Sequence, residues 1–504
     1  MTYAKLLELY PPHPSHVKEE IELELEKARK AVIRADCSII VLDDDPTGTQ
    51  TVHDIDVYTD WAMDSIQSGF GSPMFFVLTN SRAFSKEKTE AVHRDIAQKI
   101  LEQKIAQKKD FIVVSRGDST LRGHYPIETS SMNEVFLENN LPMDGEIIVP
   151  FFPEGGRYTT DDIHYVRQGD EMIPAGETEF AKDKTFGYKS SNLKDWVKEK
   201  TTGVNQTTRA NQITGASQSI EVSEATEARQ ATGVSQGEEI ISIPLKWLRA
   251  RDYQGITDAL CKCENFNKVI VNAVDYDDIR VFAAAFFNAV NKGKRFLFRS
   301  AAAMVKVLGG VSDQPLLSSA QLQDYGNPNG GLIIVGSHVA RTTAQLEILK
   351  KEGSVKFIEM DQHLALDSAA FDKEADRVLD LTEKSLMSGQ NTVVMTRRER
   401  FDLGTNQEDE LRLAVTIGDK LTGIVNRLAV RPSFIIAKGG ITSSDVATKG
   451  LGIKKARVAG QILPGVPVWQ AGPESKYPGL MLIIFPGNVG DEDAVLQAVN
   501  KCGK

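Results

Sequence analysis

A chain of 504 residues is long enough for two to four domains, each with its own core. Its 41% hydrophobic and 25% charged residues are those of an ordinary globular chain, and no segment reaches the roughly 18 apolar residues of a membrane span, so a cytoplasmic protein without a membrane partner is expected. A net charge of −10 argues against nucleic acid as a partner, which would demand a basic face, but leaves small anions open to local Arg and backbone N–H groups.

Residues 15–35 set Val17, Ile21, Leu25, Ala28 and Val32 at helical spacing among Glu, Lys and Arg, an amphipathic helix without the apolar core of a signal segment. Residues 39–42 (Ile-Ile-Val-Leu) read as a buried strand that stops abruptly at Asp43, Asp44 and Asp45. Pro46, Gly48 and the hydroxyls of Thr47, Thr49 and Thr51 follow. Adjacent carboxylates repel one another, and a plain turn has no need of three. In an open parallel sheet ligands bind beyond the carboxyl ends of the strands, so this turn is the first candidate site.

The arrangement returns twice. After a short strand at 55–58, the apolar run 74–78 ends in a polar tip carrying Arg82. After a helix over 86–109, the strand 111–114 opens into Ser115-Arg-Gly-Asp-Ser-Thr-Leu-Arg-Gly-His124. That loop offers Arg116 and Arg122 as forks for carboxylate or phosphate, with Asp118 and Ser119 between them. The strand 146–150 then leads into Phe151-Phe-Pro-Glu-Gly-Gly-Arg-Tyr158, where Arg157 is available to an anion. His164 reads equally well as a satisfied structural imidazole or a catalyst. Strands alternating with helices predict an α/β domain with a mainly parallel sheet.

Residues 201–237 break the pattern. They are rich in Thr, Ser, Gln and Ala, repeat Thr-Gly-x-x-Gln from Thr202, Thr214 and Thr232, and read as a polar low-complexity insertion without chemistry. Strands resume at 240–243 and 269–273, and the Ala- and Phe-rich helix at 279–290 should be deeply buried. Breakers concentrated over 311–330 predict a linker, dividing a domain at 1–325 from one at 330–504.

In the second half, the strand 332–335 runs into Gly336-Ser337 ahead of a helix, a fair start for an anion site. A strand is expected at 392–396. Another at 433–437 opens into Lys438-Gly439-Gly440-Ile-Thr442-Ser443, where paired glycines let backbone N–H groups close on phosphate oxygens. The last strand, 480–485, runs into Pro486-Gly487-Asn488-Val-Gly490. Three Gly/Ser/Thr loops after buried strands point to a nucleotide pocket, although neither G-x-x-x-x-G-K-[ST] nor G-x-G-x-x-G follows a strand. Four scattered cysteines give neither a disulfide framework nor zinc-finger spacing, and no protein-built metal site is expected.

In this order the motifs resemble the four-carbon acid sugar kinase family. Asp44-Asp-Pro-Thr-Gly48 is similar to its Asp-Asp-x-Thr-Gly turn, and Asp118-Ser-Thr-Leu-Arg-Gly123 to its loop of the same six residues. Gly336-Ser337 with Thr342 and Gln345, Gly439-Gly-Ile-Thr442, and Gly487-Asn-Val-Gly490 resemble its nucleotide loops. His338 and Val339 depart from the usual Cys and Ser, and Phe485-Pro486 from a Lys-Ser pair. The resemblance implies two three-layer α/β domains with mainly parallel sheets and a cleft between them. It also implies ATP-dependent phosphorylation of a sugar acid such as erythronate or threonate, with Mg²⁺ arriving on ATP; assembly, a homodimer included, is left open.

On that basis Asp45 and Asp118 are the catalytic candidates. Asp44, Arg82, Arg116, Ser119, Arg122 and Arg157 would bind substrate, Arg82 and Arg122 clamping its carboxylate. Ser337, Gly439, Gly440, Thr442, Gly487 and Asn488 would bind the nucleotide. Two rivals stand beside it. Asp43-x-Asp45-x-Thr47 after a strand fits an aspartate-nucleophile phosphatase, and a non-catalytic sugar-acid sensor could keep the same fold.

Overall fold

A computed structural model describes residues 1–33, 37–202, 240–399, 407–487 and 489–503, apart from the side chains at 407, 408, 410 and 411. Beyond residue 202, the insertion expected at 201–237 lies outside the described residues, as does Asn488. Strands in the first part of the chain are β1 (Cys37–Asp43), β2 (Asp56–Tyr58), β3 (Met74–Leu78), β4 (Asp110–Arg116) and β5 (Gly145–Val149). They are followed by β6 (Arg157–Thr160), β7 (Ile163–Gln168), β8 (Glu171–Pro174), β9 (Ile241–Ile243), β10 (Asn267–Val271) and β11 (Phe296–Ser300). The remainder are β12 (Leu332–Val335), β13 (Lys356–Met360), β14 (Thr392–Thr396), β15 (Ile435–Lys438), β16 (Lys455–Leu463), β17 (Val466–Ala471) and β18 (Met481–Phe485).

Two compact units result. The first comprises residues 1–44, 61–75 and 81–311, and the second 45–60, 76–80 and 312–504. The chain is thus shared out so that the turn after β1 groups with the second unit, and β3 supplies residues to both.

In the first unit, β1, β4, β11, β5, β10 and β9 lie side by side in that order, all parallel. Parallel strands are covered on both faces, which is why they are continuous Val/Ile/Leu/Phe runs rather than alternating ones. The helix Tyr276–Asn291 buries Phe282, Phe286 and Phe287 completely, as its composition predicts. Register decides what happens at the carboxyl edge. Asp43 pairs with Arg116 across β1 and β4, and Ser300 pairs with Arg116 on the other side. The acidic turn, the Arg116–Arg122 loop and the end of β11 therefore emerge at one level. An antiparallel meander of β6, β7 and β8 follows β5. Its polar sequence hides the strand pattern.

In the second unit, β13, β14, β12, β15 and β18 are parallel neighbours, continued by β17, β16 and β2 in antiparallel pairing. Val335 pairs with Lys438, and Lys438 with Phe485, so β12, β15 and β18 also end level. The stretch 311–330, expected as a linker, is in part core of this unit. Leu317 and Leu322 are buried with Ile333, Ile436 and Ile483, and Leu317 N–H donates to the Gln461 carbonyl. Two apolar residues among breakers suffice to pin it.

Candidate functional site

At the carboxyl edge of the first unit the predicted residues form a lattice of alternating charge. Arg82 grips Asp44 with both forks, Nε to Oδ2 at 3.1 Å and Nη2 to Oδ1 at 2.6 Å. Arg116 Nη1 lies 3.4 Å from Asp43 Oδ1 and 3.7 Å from Asp44 Oδ1. Arg122 Nε donates to Asp118 Oδ2 at 2.6 Å, and the Thr120 hydroxyl donates to the same oxygen. Arg122 Nη1 also stands 3.8 Å from Asp183. Arg82 and Arg122, expected to clamp a substrate carboxylate, are thus each paired within the protein.

Burial and pairing pull these groups in opposite directions. Burial pushes the Asp44 carboxyl up against the pull of Arg82. Burial also works against ionising Asp118, but Arg122 and Arg82 overcome it and hold that carboxyl well below the usual carboxylate range. Ser119 sits in the same loop, and its carbonyl accepts from His164 Nε2 at 2.8 Å. Because a carbonyl only accepts, Nε2 carries the proton, and Nδ1 takes the Thr159 hydroxyl at 3.0 Å. With both nitrogens satisfied and burial lowering its pKa to about 4, His164 is a structural imidazole.

Arg299, near the end of β11, was not among the candidates from sequence. It is only 5% exposed; Nη2 donates to the Arg122 carbonyl at 2.9 Å, and Nη1 lies 3.9 Å from Glu128. Gly117 folds directly over it, for a Cβ there would stand 1.1 Å from Nη1. Glu128 in turn accepts the Ser81 hydroxyl at 2.7 Å. An Arg inside the apolar run Phe-Leu-Phe-Arg-Ser was the available signal, since a charge in a buried strand is costly without a purpose. Asp118, Trp196, Arg299 and Ser300 also border a cavity of about 10 Å³, room for one water. Arg157 lies beside this group, with its guanidinium carbon 5.6 Å from the centre of the Phe180 ring; that of Arg122 is 5.0 Å from the same ring.

The second unit assembles its loops as tightly. The Thr342 hydroxyl lies 3.3 Å from that of Ser337 and donates to the Gly487 carbonyl at 3.0 Å. A Cβ on Gly439 would stand 3.2 Å from Ser337 Cβ, and one on Gly487 3.2 Å from Ser337 Oγ. Thr442 Oγ1 would come within 2.6 Å of a Cβ on Gly336. Ser337, Gly439, Thr442 and Gly487 are therefore together. Gln345 Nε2 ties the far side of the last loop, donating to the carbonyls of Val489 and Asp491 at 3.1 and 2.8 Å.

Asp45 belongs to this unit. Its Oδ1 accepts from Thr47 N–H at 2.8 Å, and its Oδ2 would be 2.5 Å from a Cβ on Gly440, a contact that only glycine permits. Beneath the loops, fully buried Lys438 donates to the Pro486 carbonyl at 2.6 Å, and burial lowers its pKa to about 7. Arg398, just past β14, donates to the Ser337 carbonyl at 2.7 Å and the Thr343 hydroxyl at 2.8 Å. Among the described residues no three His, Cys, Asp or Glu side chains group to cage a metal. The loop donors are hydroxyls and backbone N–H groups. That set suits phosphates carrying their own hydrated ion, since Mg²⁺ keeps most of its waters and needs few protein ligands.

Sheets with level carboxyl ends, one edged by Asp/Arg pairs and hydroxyls and the other by Gly/Ser/Thr loops, define a two-part α/β protein that binds a polyol and a phosphate-bearing ligand. The family comparison agrees: the model of a sugar-binding N-terminal domain matches residues 39–308, and that of a nucleotide-binding C-terminal domain matches residues 332–495. The chain belongs to this family, which has the four-carbon acid sugar kinase architecture. No curated protein sequence matches it. Among solved structures it is similar to a Salmonella typhimurium LT2 protein provisionally named a tRNA synthase, with a TM-score of 0.60 and 15% identity over 92% of this chain and 98% of that one. It is also similar to the Haemophilus influenzae protein HI1011, with a TM-score of 0.57 and 16% identity over 92% of this chain and 100% of the other. Identities this low speak for the fold alone. Among the described residues no helix is long and apolar enough to cross a membrane.

Proposed function

We propose that the protein is an ATP-dependent kinase that phosphorylates a hydroxyl of a four-carbon sugar acid such as erythronate or threonate. The observation that carries this reading is the pairing of motifs with domains. The Asp/Arg lattice lies in the sugar-binding domain, and the three converging loops lie in the nucleotide-binding domain. A phosphatase using Asp43 or Asp45 would leave the second domain without a task.

Phosphoryl transfer is mostly positioning and charge neutralisation. The Asp44–Arg82 and Asp118–Arg122 pairs offer fixed acceptors and donors to the substrate hydroxyls. Arg116 holds Asp43 and Asp44 in place. Ser337, Gly439, Gly440, Thr442 and Gly487 present hydroxyl and N–H donors to the phosphates, with Asn488 on the same loop. The attacking hydroxyl oxygen forms a bond to the γ-phosphorus as the bond to ADP breaks, and its proton must go to a base. Asp118 is a weak base, because Arg122 stabilises its ionised form. Asp45 is therefore assigned that role. Mg²⁺ on the triphosphate supplies neutralisation of the phosphate charge.

The test is ADP release with a panel of C4–C6 sugar acids. Turnover confined to one or a few acids is expected. No release above the acid-free rate with any of them would leave the sensor reading standing, and hydrolysis of a generic phosphate ester without ATP would favour the phosphatase.

A further inference from the structure

We infer that Arg157 is the group that reads the substrate's negative charge, so the sugar-binding domain selects a monocarboxylate over the matching neutral polyol. This deepens, and rests on, the sugar-acid kinase reading. The argument is one of charge accounting at the carboxyl edge of the first unit. Arg82 is occupied by Asp44, Arg116 by Asp43 and Asp44, Arg122 by Asp118 and Asp183, and Arg299 by Glu128. Arg157 differs in one respect: its buried Nε has no hydrogen-bond partner, as is also true of Arg116 Nε and Arg299 Nη1, but among the described residues it alone of these five makes no ion pair.

A half-buried guanidinium whose Nε is shut off from water and which has no anion is unfavourable, and burial lowers its affinity for the proton. Such a group persists in a fold when a ligand completes it. The surroundings fit a carboxylate. Arg157 and Arg122 both lie against the Phe180 ring, at 5.6 and 5.0 Å, which orients two planar forks without neutralising them. Arg122, which shares that ring with Arg157, is itself bonded to Asp118, which places the subsite beside the lattice that would hold the hydroxyls. One unpaired guanidinium matches one carboxylate; a dicarboxylate would bring a second charge with no partner.

Equilibrium binding of erythronate and threonate, and of the neutral tetritols, is measured calorimetrically on the full chain without nucleotide. The unmodified protein should bind at least one acid about tenfold or more tightly than its tetritol. Arg157→Met should weaken acid binding on the order of 100-fold and leave tetritol binding unchanged, so that the acid-to-polyol preference disappears. Arg157→Lys, which keeps the charge but loses the fork, should recover part of the preference, and it decides the matter if Arg157→Met does not fold. An acid affinity unchanged in the Met variant, or an equal loss for acid and tetritol, overturns the assignment of Arg157 while the kinase reading stands. Failure of the unmodified protein to bind any acid overturns both.

Discussion

Asp45 and Asp118 show how two carboxylates on turns after β-strands come to differ. Asp118 is locked by Arg122 and Thr120, whereas Asp45 sits on a tight turn against Gly440. Replacing Asp45 with Asn should lower kcat by about 10²–10⁴-fold with the KM for nucleotide little changed, read by steady-state kinetics in both substrates. Lys438 carries a second expectation. Burial brings its pKa to about 7, so it is charged in the free protein below that pH and largely neutral above it. Phosphate favours the charged form, so nucleotide affinity should fall as pH rises above 7 and binding should take up a proton. Calorimetry at pH 8 in buffers of different ionisation enthalpy reads that uptake, which Lys438→Met should abolish. His164 acts on stability instead. Its pKa falls from 6.5 to about 4 on folding, so the unfolded chain binds more protons between those values. Its contribution is complete above pH 6.5 and is lost as pH falls towards 4, about 2 kcal/mol of it between pH 7 and 5. Urea midpoints at the two pH values should differ less in His164→Asn than in the unmodified protein.

Among elements, the loop from Gly117 to Gly123 depends on what lies under it. Gly117→Ala places a Cβ 1.1 Å from Arg299 Nη1, so either the loop or the guanidinium must move. The expected cost is about 1–3 kcal/mol, seen as a lower melting temperature, together with a raised KM for the acid but not for ATP. This loop was legible in the sequence through its dense Arg, Asp and Gly after an apolar run, and so were β1, β3, β4, β12, β14 and β18, each a short, mainly apolar stretch. Arg299 was not, because a single charge in Phe-Leu-Phe-Arg-Ser looks like the end of a core strand. The β6–β8 meander was not foreseen, because its polar residues mask a period of two. β16 and β17 were missed for a similar reason: Gly460, Gly465 and Pro467 interrupt the run, and the register shifts between Val458 and Gly460 confirm an irregular pairing. Which carboxylates would be neutralised by which guanidiniums was beyond sequence, since it follows from strand register rather than spacing.

At the level of the whole molecule, the two units are not two consecutive pieces of chain. β2 pairs with β16, Asp56 opposite Arg457, and Trp469 Nε1 donates to the Thr49 hydroxyl at 2.9 Å, all within the second unit. A fragment of residues 330–504, the division that the sequence suggests, would lack these partners and also Leu317 and Leu322 from its core. It should expose the edge of β16 and aggregate. Static light scattering and nucleotide binding of the fragment check this; a monomeric fragment with full affinity would contradict it.

That threading bears on how the protein would respond to a protease. A nick in the chain around residue 312 severs the most obvious tether, yet it cannot liberate the C-terminal portion, because a ribbon from the N-terminal part remains woven into its sheet. The cut halves should copurify under native conditions and come apart only in denaturant.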